Sequence, residues 1–158
     1  MIKDMEKDAT SYIYGITDTY LKHIGGSLNA ENMNKLTANQ HTLLAYRIIL
    51  DEVMEGGFIQ LIQNGYGPYV LDGPFAKVMK QEWNLRDFGN FMYDVKREYN
   101  RNREQLEADL TEKEFMALYE QQEAMNELGD DFLDEYQETV TPAIAAYVKA
   151  HEESFLLQ

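Results

Sequence analysis

The fold is decided by the stretch from Leu43 to Gly67, which reads LLAYRIILDEVMEGGFIQLIQNGYG. Its apolar residues recur at helical spacing and cover more than one face, which predicts a helix surrounded by other elements. The adjacent Gly56 and Gly57 predict a kink or a break, because glycine adopts backbone conformations that interrupt helices. Asn64-Gly65 predicts the end of this helix and a turn. We expect the stretch to be the structural centre of the chain.

Helix start signals lie on both sides of this centre. Thr37 with Gln40 and Thr111 with Glu114 form two capping boxes, each of which predicts the first turn of a helix. Thr141-Pro142 predicts the start of the last helix, with threonine as the N-cap and proline in the first turn. No segment shows the period-two alternation of a strand. The sequence predicts an all-α fold: one compact domain of about six or seven helices over residues 1–158.

Length and composition define the class of protein. The chain has 158 residues, of which 44% are hydrophobic and none is cysteine. A packed core is expected at this size, and thiol nucleophiles, disulfides and zinc-thiolate sites are excluded. The start of the chain lacks the apolar run of a signal peptide, and no later run has the length of a membrane span. We expect a cytoplasmic protein.

The negative charge is concentrated in the last third of the chain. Residues 1–103 contain 13 Asp and Glu against 12 Lys and Arg, whereas residues 104–158 contain 15 against 2. Such an acidic surface repels nucleic acid and anionic membranes. We therefore expect no direct nucleic-acid or membrane binding, and a basic protein as the natural partner.

A row of carboxylates in the segment 112–138 is the candidate partner-binding surface. Its residues follow one another in steps of three or four, which on a regular helix places them on the side opposite the apolar residues. Such steps advance about 4.5–6 Å along a helix, comparable to the spacing of phosphates along a nucleic-acid strand. The row comprises Glu120, Glu123, Glu127, Asp131, Asp134 and Glu138.

Two other interpretations of this row are open. It could be a solvated face that only keeps an acidic protein in solution, in a helical scaffold or an oligomeric accessory protein whose carboxylates do not take the place of phosphates. Alternatively, the basic cluster of Lys96, Arg97, Arg101 and Arg103 could pack beside the row and neutralise it internally.

Asp51, Glu52 and Glu55 offer an alternative as ligands of a carboxylate-based metal enzyme. Glu52 and Glu55 share a helical face, as a pair of metal ligands would. However, the Glu-x-x-His elements that complete helical di-metal sites are absent. The common nucleophile, phosphate-loop and dinucleotide motifs are absent as well. We predict no catalytic residues, no metal and no cofactor.

The central stretch also carries a family resemblance. The segment from Asp51 to Gln60, with Asn64 and Gly67, resembles a bacterial family named after an acidic DNA-mimic protein. The segments Leu128–Tyr136 and Tyr147–Phe155 look like later parts of the same pattern, so the resemblance covers about residues 38–156. Its structural signature here is Gly56, Gly57, Phe58, Gln60 and Asn64.

The resemblance implies an all-helical fold, a homodimer, and binding through carboxylates to the DNA-recognition surface of a transcription factor. Within the signature, Phe58 is expected to anchor the core, while Gln60 and Asn64 are expected to bind the backbone of the turn. The leading hypothesis is a non-catalytic interaction protein whose acidic C-terminal third, residues 104–158, competes with DNA for a basic protein.

Overall fold

The structure is a computed structural model that describes residues 2–157, with side chains from residue 7 onward. Helices account for all the regular secondary structure of this part of the chain, so the all-α prediction is confirmed. It contains eight α-helices, one more than the upper expectation. They are α1 (Ile2–His23), α2 (Ala38–Gln63), α3 (Phe75–Lys77), α4 (Arg86–Arg101), α5 (Arg103–Leu106), α6 (Glu112–Gln121), α7 (Glu123–Asp131) and α8 (Gln137–Ala150).

Short turns of other helix types connect these elements. Two are 3₁₀ turns, at Met33–Lys35 and Glu152–Ser154. Three are π-helical turns, at Pro68–Asp72, Val78–Glu82 and Phe132–Tyr136. None of the helices within residues 2–157 has the length and hydropathy needed to cross a membrane.

The chain divides into two compact units. We call residues 1–47 with 138–158 the terminal unit, and residues 48–137 the central unit. The single domain expected over residues 1–158 stays a prediction, and its end residues, 1 and 158, lie outside the described part.

The terminal unit is built from α1, the first part of α2 and most of α8. Apolar side chains such as Ile13, Leu43 and Ile144 are fully buried in it. Polar groups join its segments as well, since Gln40 Nε2 donates a hydrogen bond to the carbonyl oxygen of Phe155 over 3.3 Å. The Thr37 capping box is present, with Gln40 Oε1 accepting from the Thr37 backbone N–H.

The predicted start of the last helix at Thr141-Pro142 is wrong. Helix α8 begins at Gln137, and Pro142 lies inside it. Thr141 is buried, and its hydroxyl is 2.6 Å from the hydroxyl of Tyr46. The threonine therefore serves the core of the terminal unit instead of capping a helix.

The central unit is organised by the glycine pair. Gly56 and Gly57 both have non-helical backbone angles inside α2, and Gly57 has φ = 73° and ψ = −174°. Only glycine adopts this region readily, which explains the residue at 57. Helix α7 passes close by, because a Cβ on Gly129 would lie 3.6 Å from the Cα of Gly57. The kink predicted at this point is confirmed.

An aromatic core fills the central unit beside the kink. Phe58 is fully buried, and its ring centroid lies 6.3 Å from that of Phe91 and 6.4 Å from that of Phe132. Phe88 lies 6.0 Å from Phe132 and 6.0 Å from Phe75. These rings hold α4 and α7 side by side, which positions the charged residues on the outer faces of both helices.

Candidate protein-binding surface

The six carboxylates of the predicted row are all exposed. They belong to different elements. Glu120 lies on α6, three lie on α7, Asp134 lies in the π-helical turn after α7, and Glu138 lies on α8 in the terminal unit. The three on α7 are Glu123, Glu127 and Asp131.

The prediction that this row follows one regular helix from 112 to 138 is wrong. The backbone leaves the helix at Gln122, with φ = −108° and ψ = 56°. The buried Gln122 side chain donates from Nε2 to Gln105 Oε1 over 3.0 Å, so packing within the central unit fixes the break. The π-helical turn at Phe132–Tyr136 changes the rotation per residue again. Only Glu123, Glu127 and Asp131 keep the spacing of one α-helix, with about 6 Å between successive residues.

Helix α4 adds carboxylates that sequence reasoning missed. An open groove of about 290 Å³ lies between α4 and α7 and has both charges in its lining. Asp94 and Glu98 enter it from α4, and Glu127 and Asp131 enter it from α7. The complete lining is Asp94, Arg97, Glu98, Arg101, Ala124, Glu127, Leu128 and Asp131.

A sequence signal for these residues exists in the amphipathic pattern of α4. Its buried line is Phe88, Phe91, Met92, Val95 and Tyr99. Asp94 and Glu98 fall between those positions at a spacing of four, which places them on one outer face. The sequence interpretation emphasised the basic residues of this helix and passed over its acidic ones.

The basic cluster does not neutralise the row through ion pairs. Arg97 pairs with Asp94, and Arg101 Nη1 lies 2.9 Å from Glu98 Oε2, both within α4. Arg103 lies 2.8 Å from Asp72 and 3.0 Å from Glu107. Among the side chains described from residue 7 to 157, no ion pair joins this cluster to the six row carboxylates.

The pKa of Tyr136 reflects the negative charge of this region. Its ring packs on Phe91 with the centroids 4.4 Å apart. Burial raises the pKa of the Tyr136 hydroxyl, and four neighbouring carboxylates raise it further, because they oppose a second negative charge. They are Glu135, Asp87, Asp131 and Asp94. Carboxylates from α4 and from the end of α7 therefore act on the same point.

The carboxylates of the enzyme alternative have a different environment. Glu52 accepts hydrogen bonds from Gln60 Nε2 at 2.6 Å and from Asn64 Nδ2 at 3.0 Å. The expectation that these two amides bind the turn backbone is therefore wrong, since both donate to Glu52. Asp51 and Glu55 are exposed. Within the described part of the chain, no three His, Asp or Glu side chains are grouped as a metal site requires.

The hydrogen bonds around Glu52 support a structural role for the signature residues. Glu52 precedes the glycine kink, and Gln60 and Asn64 follow it, so the bonds connect α2 across the kink. A further hydrogen bond at the kink comes from the Tyr119 hydroxyl, which donates to the carbonyl oxygen of Gly56 over 2.6 Å. Gly56 has no room for a side chain, because a Cβ there would lie 2.2 Å from Gln60 Oε1.

Comparison with known proteins identifies relatives of this chain. The sequence profile of the DMP19-like protein family matches residues 34–151. The chain is also 26% identical to DNA mimic protein DMP19 of Neisseria meningitidis serogroup B (strain ATCC BAA-335 / MC58) over 158 residues. That alignment covers 95% of this chain and 90% of the relative. The resemblance inferred from the central stretch is thereby confirmed.

Proposed function

The chain belongs to the DMP19-like protein family, and from this premise we propose that it is a DNA mimic that occupies the DNA-binding surface of a basic protein such as a transcription factor. The name of the Neisseria relative supports this assignment. The observation that carries it is the set of exposed carboxylates on α6, α7 and the following turn, none of which has an ion-pair partner among the described side chains.

The mechanism is electrostatic substitution. A protein that binds DNA neutralises phosphates with Lys and Arg side chains, and much of its affinity comes from that charge. The central unit contains 20 Asp and Glu against 8 Lys and Arg, a net charge of −12. Its carboxylates would take the place of phosphates against the partner's cations, so the complex should weaken steeply as salt increases.

The α4 carboxylates lie beside this surface and pair with arginines of the same helix. Asp94 and Glu98 line the groove with Glu127 and Asp131 from α7, so paired charges of both signs lie beside the unpaired carboxylates of the row. This arrangement replaces the single line of carboxylates expected from the sequence. The proposal assigns Glu120, Glu123, Glu127, Asp131 and Asp134 to the partner surface of the central unit, and Glu138 remains the predicted contribution of α8.

The proposal contains no catalytic step and no direct binding of nucleic acid. It also keeps the homodimer and the cytoplasmic location expected from the sequence. Sedimentation of the purified chain at several concentrations tests the dimer, and fractionation of the source cell tests the location.

A pull-down from the source cell tests the mimicry itself. The immobilised chain should retain DNA-binding proteins at low salt and release them when salt is raised. A DNA duplex that the retained protein recognises should compete with the chain for that protein. Retention that is insensitive to salt, or binding that DNA leaves unchanged, would contradict mimicry and favour the scaffold alternative.

Charge reversal identifies the surface. Glu120→Lys, Glu123→Lys and Glu127→Lys together should weaken binding about 100-fold, because three attractive contacts become repulsive. The matched control reverses three exposed carboxylates of the terminal unit, Asp8→Lys, Glu31→Lys and Glu153→Lys. Both triple variants change the net charge by the same amount, and far-ultraviolet circular dichroism should show unchanged helix content in each. Equal losses in the two variants would show that net charge alone, and not this surface, governs binding.

A further inference from the structure

The groove between α4 and α7 contains two cations among its carboxylates. Arg97 and Arg101 line it together with Asp94, Glu98, Glu127 and Asp131. A line of phosphates has only negative charge, so this groove is where the acidic surface differs most from DNA. The two guanidinium groups reduce the charge of the groove from −4 to −2, which weakens its attraction for the lysines and arginines of a uniformly basic partner.

These arginines contribute little to folding. The side chains of Arg97 and Arg101 are 67% and 68% exposed, and those of their partners Asp94 and Glu98 are 53% and 12% exposed. A pair with both partners exposed, such as Arg97–Asp94, contributes at most about 1 kcal/mol to stability, and the exposed guanidinium of Arg101 leaves its pair with Glu98 open to solvent on one side. Both pairs also join residues three positions apart on one helix, so they do not tie separate elements together. The stability of the central unit therefore does not explain cations at this point of the surface.

We propose that Arg97 and Arg101 are specificity-determining residues of the partner surface. They disfavour a partner whose contact surface is uniformly cationic. They favour a partner whose basic surface presents a carboxylate to the groove, because that carboxylate can pair with the two guanidinium groups. The inference rests on the proposed function, since it selects among basic partners of the same acidic surface.

Two synthetic peptides test the selection. One is an oligolysine, and the other is the same peptide with a pair of glutamates at its centre. The measured quantity is the ratio of the two affinities, oligolysine over the glutamate-containing peptide. Arg97→Gln with Arg101→Gln should raise this ratio about three- to tenfold over that of the unaltered chain, because the repulsion of lysine and the attraction of glutamate are both lost.

A control variant with the same change in net charge shows whether the position of the arginines in the groove matters. Lys77 and Arg86 are exposed residues of the central unit that do not line the groove. Lys77→Gln with Arg86→Gln should tighten the binding of both peptides and leave their ratio unchanged. Arg97→Lys with Arg101→Lys keeps the cations and should retain most of the selection. Helix content is measured for every variant.

Each result has a definite meaning. Equal ratios in the Arg97/Arg101 variant, the Lys77/Arg86 variant and the unaltered chain would overturn this inference and leave the proposed function in place. If the unaltered chain binds neither peptide at low salt, the inference fails, because the groove then selects neither peptide, while the pull-down and its competition with DNA decide the proposed function separately. A higher ratio confined to the Arg97/Arg101 variant supports the assignment.

Discussion

The two units of the molecule differ in how much charge they carry. The central unit has 20 acidic against 8 basic residues, a net charge of −12, whereas the terminal unit has 8 against 6, a net charge of −2. Most of this charge belongs to residues 104–137, which contain 12 acidic residues against one basic residue. Residues 48–103 of the same unit contain 8 acidic against 7 basic residues and are nearly neutral, so the acidity of the central unit lies in its last 34 residues.

The terminal unit also uses charged groups in its own construction. Arg47 pairs with Asp18, and its guanidinium lies 4.6 Å from the centroid of the Tyr14 ring. The Tyr12 hydroxyl donates to Glu152 over 2.9 Å, and Lys149 lies 4.8 Å from the centroid of the Tyr12 ring. These contacts join segments that are far apart in the sequence. The comparison indicates that charge in the terminal unit serves folding, while the row on the central unit is available to a partner.

The largest expected effect on stability comes from a substitution in the core of the central unit, as opposed to its surface. Phe132→Ala should lower the free energy of unfolding by about 3–5 kcal/mol, because it removes a fully buried ring that contacts Phe58 and Phe88. Denaturant unfolding measures this change. Phe132→Leu should cost clearly less. If Phe132→Ala lowers the free energy of unfolding no more than the Glu120/Glu123/Glu127 charge reversal does, the assignment of Phe132 to the core and of the carboxylates to the surface is wrong.

A pair of glycine substitutions compares the two units directly. Gly57→Ala in the central unit should cost about 1–3 kcal/mol of stability, because Gly57 has a backbone conformation that is essentially restricted to glycine. Gly15→Ala in the terminal unit should instead stabilise the protein by about 0.5–1 kcal/mol, since Gly15 is exposed within α1 with open space at its Cβ. Thermal unfolding of the two variants should show shifts of opposite sign. Shifts of the same sign would contradict the role of Gly57 at the kink.

The smallest expected effect on stability concerns the two capping boxes. The box in the central unit contains the carboxylate of Glu114, whereas the box in the terminal unit contains the uncharged amide of Gln40. Hydrogen bonds from the Thr111 backbone N–H and then from its side chain hold the pKa of Glu114 below its usual value. A lowered pKa in the folded state means that the stabilisation is present above the unfolded-state pKa of about 4.3. It is lost as the pH falls through the folded-state pKa.

Melting temperatures across acidic pH test this linkage. The difference between the unaltered chain and Glu114→Ala should be largest near neutral pH and should shrink in acid. The difference for Gln40→Ala, which removes the uncharged box partner in the terminal unit, should change little over the same range. A Glu114→Ala difference that is constant with pH would contradict the assigned direction of the shift.

The sequence predicts features that depend on neighbouring residues. Both capping boxes, at Thr37 and Thr111, are confirmed, because a cap is formed within four residues of the chain. The kink at Gly56 and Gly57 is confirmed for the same reason, since a backbone preference of glycine produces it. Local signals of this kind are sufficient for the fold class.

The features that the sequence predicts wrongly depend on distant contacts. Thr141 has the local signal of an N-cap, but its hydroxyl contacts Tyr46, which is 95 positions away in the sequence. The break in the helix at Gln122 depends on a hydrogen bond to Gln105. The π-helical turn after α7 has no local sequence signal, because the apolar residues keep the spacing of a helix through it. For this reason the carboxylates were identified correctly as surface residues, while their arrangement on one helix was not.

The groove beside the row depends on tertiary structure in the same way. Asp94 and Glu98 contribute to it only because α4 packs against α7, and Phe91, Phe132 and Phe58 produce that packing. A residue pattern on one helix cannot show which other helix will lie beside it.

The salt dependence of binding tests the central claim most directly. The affinity for the oligolysine peptide is measured over a range of salt concentrations for three proteins: the unaltered chain, the Glu120/Glu123/Glu127 reversal and the matched Asp8/Glu31/Glu153 reversal. We expect a steep loss of affinity with salt for the unaltered chain and the matched variant, and a clearly flatter dependence for the reversal on the central unit. The same dependence in all three proteins would contradict the claim that the exposed carboxylates of the central unit form the partner surface.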